Sequence, residues 1–392
     1  MFKNRNFIII AVIALVNSLG YGIIIPILES YTSRFGMNDF QFGLLFALFS
    51  LCQFFATPVI GRLSDKYGRR PLLIISLIGT AMSFFMMAFA RSVPMLFFAR
   101  ALDGITAGNL PVASAVIADT TDLKNRAKGY AIFGASFGFG FIFGPAISAL
   151  TVGISQTLPF IIAGVISVIA VVATFLFLPE TNKNLGMVKK GKLFDFKKLF
   201  HALYDENTGR TFLITLFYSL AFGILISRFQ PFARKILMLQ EQSIAIIFTI
   251  FGLIGLITQL FLLQRITKIF GLKRSFNIMF LVVAFSFFGY FITRNALVFV
   301  LFSIILGFSN ATINPLTQTI LSQESDDKSQ GTIQGLNSSY MSIGSILGPL
   351  LAGLLATYNT FLPFLASALF CIFCFYLSLQ IAKPGFKKES AF

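Results

Sequence analysis

The sequence predicts an all-α integral membrane protein with twelve transmembrane helices arranged as two six-helix repeats. The first observation is composition: 56% of the 392 residues are hydrophobic and only 12% are charged, whereas a soluble domain is usually about 25% charged. The second is that apolar runs of about 20 residues recur along the chain, each long enough to cross ~30 Å of hydrocarbon as a helix. The third is an uneven distribution of basic residues.

The predicted spans follow the apolar runs, with polar and charged residues between them. They cover residues 7–28, 40–60, 72–90, 94–118, 129–151, 158–178, 210–230, 241–264, 274–293, 296–320, 332–357 and 361–381. The opening stretch "MFKNRNFIIIAVIALVNSLGYGIIIP" carries basic residues ahead of an apolar run, as a secretory signal does. The run is too long for such a signal and has no small-x-small cleavage site, so we expect a retained first span.

The basic residues predict the orientation of the chain. With a cytoplasmic N-terminus, 24 of the 31 Lys and Arg residues fall in cytoplasmic segments and six on the opposite side, while Arg100 lies inside a span. This asymmetry is the positive-inside signature, so we expect both termini in the cytoplasm and the chain in the cytoplasmic membrane. It also accounts for the formal net charge of +16 without a nucleic-acid partner.

The one long polar stretch, residues 179–209, divides the chain into an N-terminal bundle (1–178) and a C-terminal bundle (210–392). Within this cytoplasmic linker, apolar residues recur at helical spacing opposite a set of lysines: Leu193, Phe196, Leu199, Phe200 and Leu203 against Lys192, Lys197 and Lys198. The pattern predicts a short helix lying on the cytoplasmic surface of the membrane. A flexible linker is the alternative interpretation.

The two halves repeat each other at an offset of about 201–204 residues. The segment "NSLGYGIIIP" (17–26) is similar to "YSLAFGILIS" (218–227), and "GFIFGPAISAL" (140–150) is similar to "GSILGPLLAGL" (344–354). Parallel six-span repeats are typical of transporters, in which the substrate site lies between the halves near the middle of the membrane.

Four motifs carry a resemblance to a known family. They are "LGYGIIIPIL" in span 1, "GRLSDKYGRR" between spans 2 and 3, "RALDGITAG" in span 4 and "GFGFIFGP" in span 5. Together they resemble the signatures of the major facilitator superfamily, and within it the drug:proton antiporters of the tetracycline-resistance and multidrug type. The resemblance covers the whole chain in the right order, and it implies the major facilitator fold.

The loop "GRLSDKYGRR" combines small, acidic and basic residues. Gly61 allows the end of span 2 to pack closely, and Gly68 permits the positive φ of a tight turn. The resemblance implies that Asp65, Arg69 and Asp119 form a latch on the outward-facing state. The alternative is that the basic residues only fix the topology, although topology requires neither the acid nor the glycines.

Arg100 and Asp103 form a charged pair inside span 4. Counting from Pro94 at 1.5 Å per residue, Asp103 lies roughly 14 Å along the helix, close to the midplane. Spaced at i and i+3, the two side chains share a face and can neutralise each other. A charge at this depth indicates a functional site, with Asp103 as proton carrier and Arg100 as its modulator. A permanent structural ion pair is the alternative.

The segment "GASFGFGFIFGP" contains small residues at the spacing of close helix contacts, including Gly140 and Gly144, followed by Pro145. The resemblance associates this antiporter motif with export. One departure stands out: tetracycline pumps of this family have an acid in span 1 where this chain has Asn17, and a further acid in the second half. Spans 7–12 contain no acid near mid-membrane here.

Polar and aromatic residues inside the spans mark the candidate substrate cavity. They are Asn17, Tyr21, Gln53, Asn109, Tyr218, Asn310, Asn314, Gln318, Asn337 and Tyr340. Asn310, Asn314 and Gln318 recur every four residues, so they form one polar stripe that should face protein or water. The aromatic faces suit a planar, partly apolar solute. The simpler interpretation of each polar residue, a hydrogen-bonded contact between helices, stays open.

The residues and the resemblance together lead us to expect a secondary transporter that exports small amphipathic compounds or drugs in exchange for protons. The missing acids favour an alternative: a dedicated exporter of one endogenous metabolite, siderophore or lipid-like substrate, without proton coupling. We do not expect an enzyme, because an enzyme would need catalytic groups that converge at one depth in the membrane. We also expect neither cofactor nor metal, because the three cysteines and His201 form no ligand cluster. We expect the protein to function as a monomer whose partners are its substrate, protons and the lipid bilayer.

Overall fold

The computed structural model describes residues 5–121, 123–182, 185–186, 195–206, 208–325 and 330–381, and every regular element within them is helical. The helices are α1 Arg5–Ile24, α2 Leu28–Ser33, α3 Asp39–Tyr67, α4 Arg69–Ala88, α5 Val93–Thr106, α6 Leu110–Thr120, α7 Leu123–Thr151, α8 Leu158–Phe177, α9 Phe196–Ala202, α10 Gly209–Lys235, α11 Glu241–Ile257, α12 Leu263–Phe270, α13 Leu272–Ile292, α14 Ala296–Glu324, α15 Gln330–Tyr358 and α16 Leu362–Gln380. A 3₁₀ turn, Ala107–Asn109, joins α5 to α6, and a π-helical segment, Thr258–Leu262, joins α11 to α12.

The predicted all-α membrane architecture is confirmed. Within the described residues, eleven helical stretches are long and apolar enough to cross a membrane, and a shorter apolar stretch, Ile8–Ile24, lies in α1. The first predicted span extends to residue 28, but α1 ends at Ile24. The physical reason is Pro26, which has no N–H to donate to the preceding turn. The chain turns there and then forms the short helix α2, which carries Glu29 in its first turn.

The helices form two compact units. Unit 1 contains Met1–Leu193 together with Phe229–Thr249, and unit 2 contains Phe194–Arg228 together with Ile250–Phe392. The last turns of α10 and the first turns of α11 therefore group with the first six spans. The predicted division at residues 179–209 stays a prediction.

Close contact between α1 and α7 holds one side of unit 1 together. A Cβ atom added at Gly140 would lie 1.9 Å from Ser18 Oγ and 2.7 Å from the backbone nitrogen of Leu19. One added at Gly144 would lie 2.8 Å from the backbone of Gly22. Ser148 completes the contact, since its hydroxyl donates a hydrogen bond of 2.9 Å to the Ile23 carbonyl. The small residues thus allow the two backbones to touch, as the motif predicts.

Unit 2 repeats this contact between α10 and α15. A Cβ atom added at Gly344 would lie 2.5 Å from Ser219 Cβ, and one at Gly348 would lie 2.6 Å from the Leu220 carbonyl oxygen. Ser219 and Gly344 occupy the positions that Ser18 and Gly140 hold in unit 1. The internal repeat of the sequence is therefore also a repeat of helix packing.

The loop between α3 and α4 also has a counterpart in unit 2. Gly68 has φ 108° and its N–H donates to the Ser64 carbonyl, which ends α3. Gly271 has φ 77° and its N–H donates to the Thr267 carbonyl, which ends α12. Both turns require a residue without a Cβ atom, because L-residues rarely adopt a positive φ.

The helix predicted in the linker is present as α9, but its contacts differ from the expectation. Leu199 packs against a core cluster of unit 2 that contains Phe212, Leu321 and Tyr340. Phe196 and Phe200 are each 60% exposed, and Leu193 lies outside the described residues. The predicted apolar face is therefore divided: Leu199 and Leu203 pack against the core of unit 2, whereas Phe196 and Phe200 stay exposed.

Candidate functional site

The fourth span is interrupted at the 3₁₀ turn between α5 and α6. Pro111 has no N–H with which to bond the carbonyl of Ala107 one turn earlier. The side chain of Gln53 on α3 supplies the missing donor, because its Nε2 donates to the Ala107 carbonyl over 3.2 Å. A Cβ atom at Gly104 would lie 2.3 Å from the Phe49 carbonyl, so α3 lies directly against the interrupted helix. Backbone groups freed inside a membrane need such a protein partner.

Arg100 and Asp103 lie one turn before this interruption. Arg100 Nη1 is 2.7 Å from Asp103 Oδ2, and the two residues are only 1% and 7% exposed. The Arg100 guanidinium lies 4.3 Å from the ring centroid of Phe49. Nε and Nη2 of Arg100 have no hydrogen-bond partner among the described residues. The pair is thus buried and balanced in charge, but its hydrogen bonding is incomplete.

Two residues of α1 extend this site. Asn17 Nδ2 donates to Asn109 Oδ1 over 2.9 Å, which connects α1 to the interrupted span. The Tyr21 ring lies 5.7 Å from Phe49 and 5.9 Å from Phe141, measured between centroids. Six of the predicted residues therefore belong to one continuous set of contacts inside unit 1: Asn17, Tyr21, Gln53, Arg100, Asp103 and Asn109.

The predicted cavity residues of unit 2 are not brought together in this way. The Tyr218 hydroxyl donates to Asn310 Oδ1, and Thr215 Oγ1 donates to Asn337 Oδ1 over 2.7 Å. Tyr340 is buried in the core cluster, where its hydroxyl donates to the Leu199 carbonyl. The remaining members of the polar stripe, Asn314 and Gln318, are exposed on α14.

The ion pairs of the α3–α4 loop form a second cluster at one end of unit 1. Arg69 Nη1 lies 2.6 Å from Asp65 Oδ1, and Arg69 Nε lies 3.3 Å from Asp119 Oδ2. The three predicted latch residues thus meet. The close packing expected at Gly61 is absent, because a Cβ atom there would have no neighbour within 4 Å. The backbone of Gly61 instead accepts a hydrogen bond from the Ser64 hydroxyl.

Glu180, which sequence reasoning missed, completes this cluster. Its two carboxylate oxygens accept hydrogen bonds from the backbone N–H groups of Arg69 and Arg70, at 2.9 and 3.0 Å. They therefore cap the N-terminus of α4, where a negative charge is favoured. A Cβ atom at Gly68 would lie 2.4 Å from Glu180 Oε2, so the glycine also makes room for this carboxylate. The only sequence signal is an acid directly after span 6.

We expect Glu180→Gln to destabilise unit 1. The amide offers one acceptor oxygen where the carboxylate offers two, so about 1–2 kcal/mol of capping should be lost. Far-ultraviolet circular dichroism of the purified protein in detergent should then show a lower apparent midpoint of thermal unfolding. Glu206→Gln, which changes an exposed acid, is the matched control. Equal midpoints for the two variants would contradict the capping role.

The comparisons with known proteins agree with this geometry. The sequence profile described as Major Facilitator Superfamily matches residues 10–206 and 211–391. Multidrug resistance protein 1 of Bacillus subtilis (strain 168) is 29% identical over 372 residues, which cover 92% of each chain. The class B tetracycline resistance protein of Escherichia coli is 30% identical over 381 residues, covering 92% of this chain and 90% of that relative. These relatives confirm the resemblance to efflux proteins.

Solved structures share the fold at low sequence identity. The human organic anion transporter MFSD10 (TETRAN) aligns with a TM-score of 0.72 and 21% identity, covering 96% of this chain and 100% of that chain. The nucleoside transporter NupG aligns with a TM-score of 0.80 and 16% identity, covering 97% and 100%. The profile match and the efflux relatives show that the protein is a transporter rather than an enzyme. With a profile match over nearly all of its length, the chain belongs to the Major Facilitator Superfamily.

Proposed function

We propose that this transporter exports small amphipathic organic compounds, including drugs, from the cytoplasm in exchange for protons. The proposal places both termini in the cytoplasm, as the distribution of basic residues predicts. The printed names of the relatives, multidrug and tetracycline resistance proteins, support export of drug-like molecules. Transport would require no cofactor or metal. The proton gradient would drive it, and the substrate would cross by alternating access.

The buried pair Arg100–Asp103 is the observation that carries the proposal. A carboxylate at this depth is costly unless it has a function or a partner. Protonation of Asp103 would remove the charge that balances Arg100, whose Nε and Nη2 have no hydrogen-bond partner among the described residues. Each protonation state would therefore favour a different arrangement of the interrupted span. Such a coupling between a proton and a helix is what antiport requires.

The other predicted residues take supporting roles in this proposal. Asp65, Arg69 and Asp119 would stabilise one of the two end states, and the contacts of Gly140 and Gly144 would hold α7 against α1 during export. Substrate would bind near the amide and aromatic groups of the spans, and the candidates from unit 1 are Asn17, Tyr21 and Gln53. Tyr218, Asn310, Asn314, Gln318, Asn337 and Tyr340 are the candidates from unit 2.

A specific observation favours a second candidate, a dedicated exporter that moves one substrate without protons. Asn17 forms an amide–amide hydrogen bond with Asn109, at the span 1 position where tetracycline pumps of this family are expected to carry an additional acid. The buried acids among the described residues, Glu29 and Asp103, both belong to unit 1. A transporter with a single acid at mid-depth has fewer sites at which to carry protons.

Proton release from inside-out membrane vesicles tests the two candidates. The vesicles hold an acid interior that quenches a fluorescent dye, and a panel of amphipathic compounds is added one at a time. Antiport predicts that some compounds restore fluorescence in vesicles with the transporter and not in vesicles without it. If labelled compounds cross while fluorescence never changes, the uncoupled exporter is the better account.

A further inference from the structure

The helical stretch that forms span 8 contains one residue more than its counterpart in unit 1. It consists of α11, the π segment and α12, and it covers 30 residues, Glu241–Phe270, whereas α3 covers 29. Both stretches end at a glycine with positive φ, Gly271 and Gly68. Span 8 is not α-helical throughout, because it contains the π segment Thr258–Leu262. Single-turn π segments inside helices occur frequently at functional sites.

Contacts between helices show where the extra residue lies. A Cβ atom at Gly307 would lie 2.9 Å from the Phe251 carbonyl oxygen, just as one at Gly104 would lie 2.3 Å from that of Phe49. The contact of span 8 with α14 therefore begins as the contact of α3 with span 4 does. Phe49 precedes its terminal glycine by 19 positions and Phe251 precedes its own by 20. The extra residue thus falls in the part of span 8 that contains the π segment.

From this point on, the two contacts differ. In unit 1, a Cβ atom at Gly108 would lie 3.0 Å from the backbone nitrogen of Thr57 and 3.1 Å from Ile60 Cδ1, so α3 stays tightly packed against span 4. In unit 2, a Cβ atom at Gly255 would lie 3.6 Å from Ala311 Cβ, which is an ordinary van der Waals distance. The contact in unit 2 therefore loosens as span 8 approaches the π segment.

Polar side chains occupy both helices where the contact loosens. On α14, Asn314 and Gln318 follow Ala311 at helical spacing, so they continue its face, and both are exposed. Gln259 is exposed on the π segment, which contacts α14. None of these three amides hydrogen-bonds another described residue. Thr258 is only 1% exposed, and its hydroxyl has no hydrogen-bond partner in the part of the chain that the structure describes.

We call this set the neutral patch: Thr258, Gln259, Asn314 and Gln318. All four belong to unit 2. No charged residue occurs in 242–264 or 296–323, so the patch offers only hydroxyl and amide groups. An amide is costly in hydrocarbon, so exposed amides inside a span should face water or a solute. The buried hydroxyl points the same way, because an unpaired hydroxyl by itself destabilises the fold.

We propose that the neutral patch is a binding subsite for the uncharged hydrogen-bonding groups of an exported compound. The inference rests on the proposed function. It narrows the substrate to amphipathic compounds with hydroxyl, carbonyl or amide groups, because each amide of the patch can both donate and accept. Thr258 and Asn314 each lie about 26 Å along helices that begin at the outer side. In the proposed orientation the patch therefore lies in the cytoplasmic half, from which an exported compound enters.

Thiol labelling tests whether the patch faces water. The cysteines Cys52, Cys371 and Cys374 are first replaced by Ala, and either Asn314→Cys or Leu260→Cys is introduced. Leu260 is the matched control, because it is 59% exposed on the π segment and apolar. A charged methanethiosulfonate added to inside-out vesicles should modify Asn314→Cys about tenfold faster or more, since the reactive thiolate forms in water and not in hydrocarbon.

A second reporter keeps this measurement decisive. Gln318→Cys replaces Asn314→Cys if the latter does not accumulate in the membrane. Similar rates at the patch and at Leu260→Cys, whether fast or slow, would overturn the patch, because both positions would then face the same medium. The measurement needs neither a gradient nor an exported compound, so the patch and the proposed function can fail separately.

Equilibrium binding to the purified transporter in detergent tests the class of ligand. Labelled chloramphenicol is uncharged and carries hydroxyl and amide groups, whereas tetraphenylphosphonium is a cation without hydrogen-bonding groups. Asn314→Leu and Gln318→Leu should each lower the affinity for chloramphenicol about fivefold or more, through a lost hydrogen bond, and leave that for tetraphenylphosphonium unchanged. Thr319→Val is the matched control, because Thr319 is exposed on α14 and its hydroxyl donates to the Pro315 carbonyl.

Thr258→Val separates ligand binding from folding. Valine keeps the shape of the side chain and removes a hydroxyl that has no partner among the described residues, so the midpoint of thermal unfolding should not fall. The affinity for chloramphenicol should fall as in the α14 variants. A lower midpoint with unchanged affinity would show that the hydroxyl is structural and would overturn its place in the patch.

Two outcomes would overturn the assigned class of ligand. One is that the unmodified transporter does not bind chloramphenicol, and the other is that the α14 variants lose both compounds equally. The proposed function survives either outcome if tetraphenylphosphonium still releases protons from inside-out vesicles. Conversely, selective loss of chloramphenicol binding in a transporter that never releases protons would support the patch and refute antiport.

Discussion

Replacing Asp103 with Asn should reduce compound-induced proton release to the level of vesicles that lack the transporter. The amide is nearly the same size as the carboxylic acid, so it fills the space beside Arg100 without carrying a proton. Glu29 lies in the first turn of α2 and the half-buried Glu324 is the last residue of α14, so we expect neither to replace Asp103 in the transfer. Fluorescence of the quenched dye in inside-out vesicles is the measurement.

Two comparisons make this prediction specific to the acid. Asp103→Glu keeps a titratable group near Arg100 and should retain part of the proton release. Glu206→Gln changes an exposed acid outside the spans and should behave as the unmodified transporter. If Asp103→Asn still releases protons with the same compounds, the pair is structural and the proton path runs elsewhere.

Gly140→Val should prevent unit 1 from folding normally. A Cβ atom at this position would lie 1.9 Å from Ser18 Oγ and 2.7 Å from the Leu19 backbone nitrogen, and the backbone cannot move aside without separating α1 from α7. Overpacking of this kind costs about 1–3 kcal/mol or more. We therefore expect a sharply reduced yield of monodisperse protein in size-exclusion chromatography and a lower apparent midpoint of thermal unfolding.

Gly134→Val is the matched control, because Gly134 lies on the same helix and a Cβ atom there would have no neighbour within 4 Å among the described residues. Its intrinsic effect on helix stability is the same as at Gly140, at most about 1 kcal/mol. Yield and midpoint should therefore stay close to those of the unmodified transporter. Similar losses in both variants would show that helix propensity, and not contact between helices, governs α7.

The sequence was sufficient for the helices, the internal repeat and the Arg100–Asp103 pair. In hydrocarbon the backbone N–H and C=O groups must be hydrogen-bonded within the protein, and a helix does this for an apolar run of the right length. Composition therefore nearly determines the fold class. Gly68 and Gly271 mark turns that only a residue without a Cβ atom adopts readily. Arg100 and Asp103 lie three residues apart on one helix, so helical geometry alone brings them together.

Contacts between distant segments could not be inferred in this way. Glu29 meets Arg234 across 205 positions, and Glu180 meets Arg69 across 111. From the sequence, Glu29 is an acid near the outer surface and Glu180 an acid after a span, and neither position differs from an ordinary loop charge. The Tyr340 hydroxyl likewise donates to the Leu199 carbonyl across 141 positions, and the sequence does not indicate this contact.

One physical cause separates the features that the sequence determines from those that it does not. Hydrophobicity, backbone geometry and helical spacing act over a few residues, so they determined the spans, the turns and the Arg100–Asp103 pair from the sequence itself. The partner of a charge depends on which segments meet when helices pack, and many arrangements of twelve spans satisfy the same hydropathy. Only the tertiary structure decided that Glu29 lies buried against Arg234 and that Glu180 caps α4, because the counter-charge of Glu29 and the N–H groups that Glu180 caps come from segments distant in the sequence.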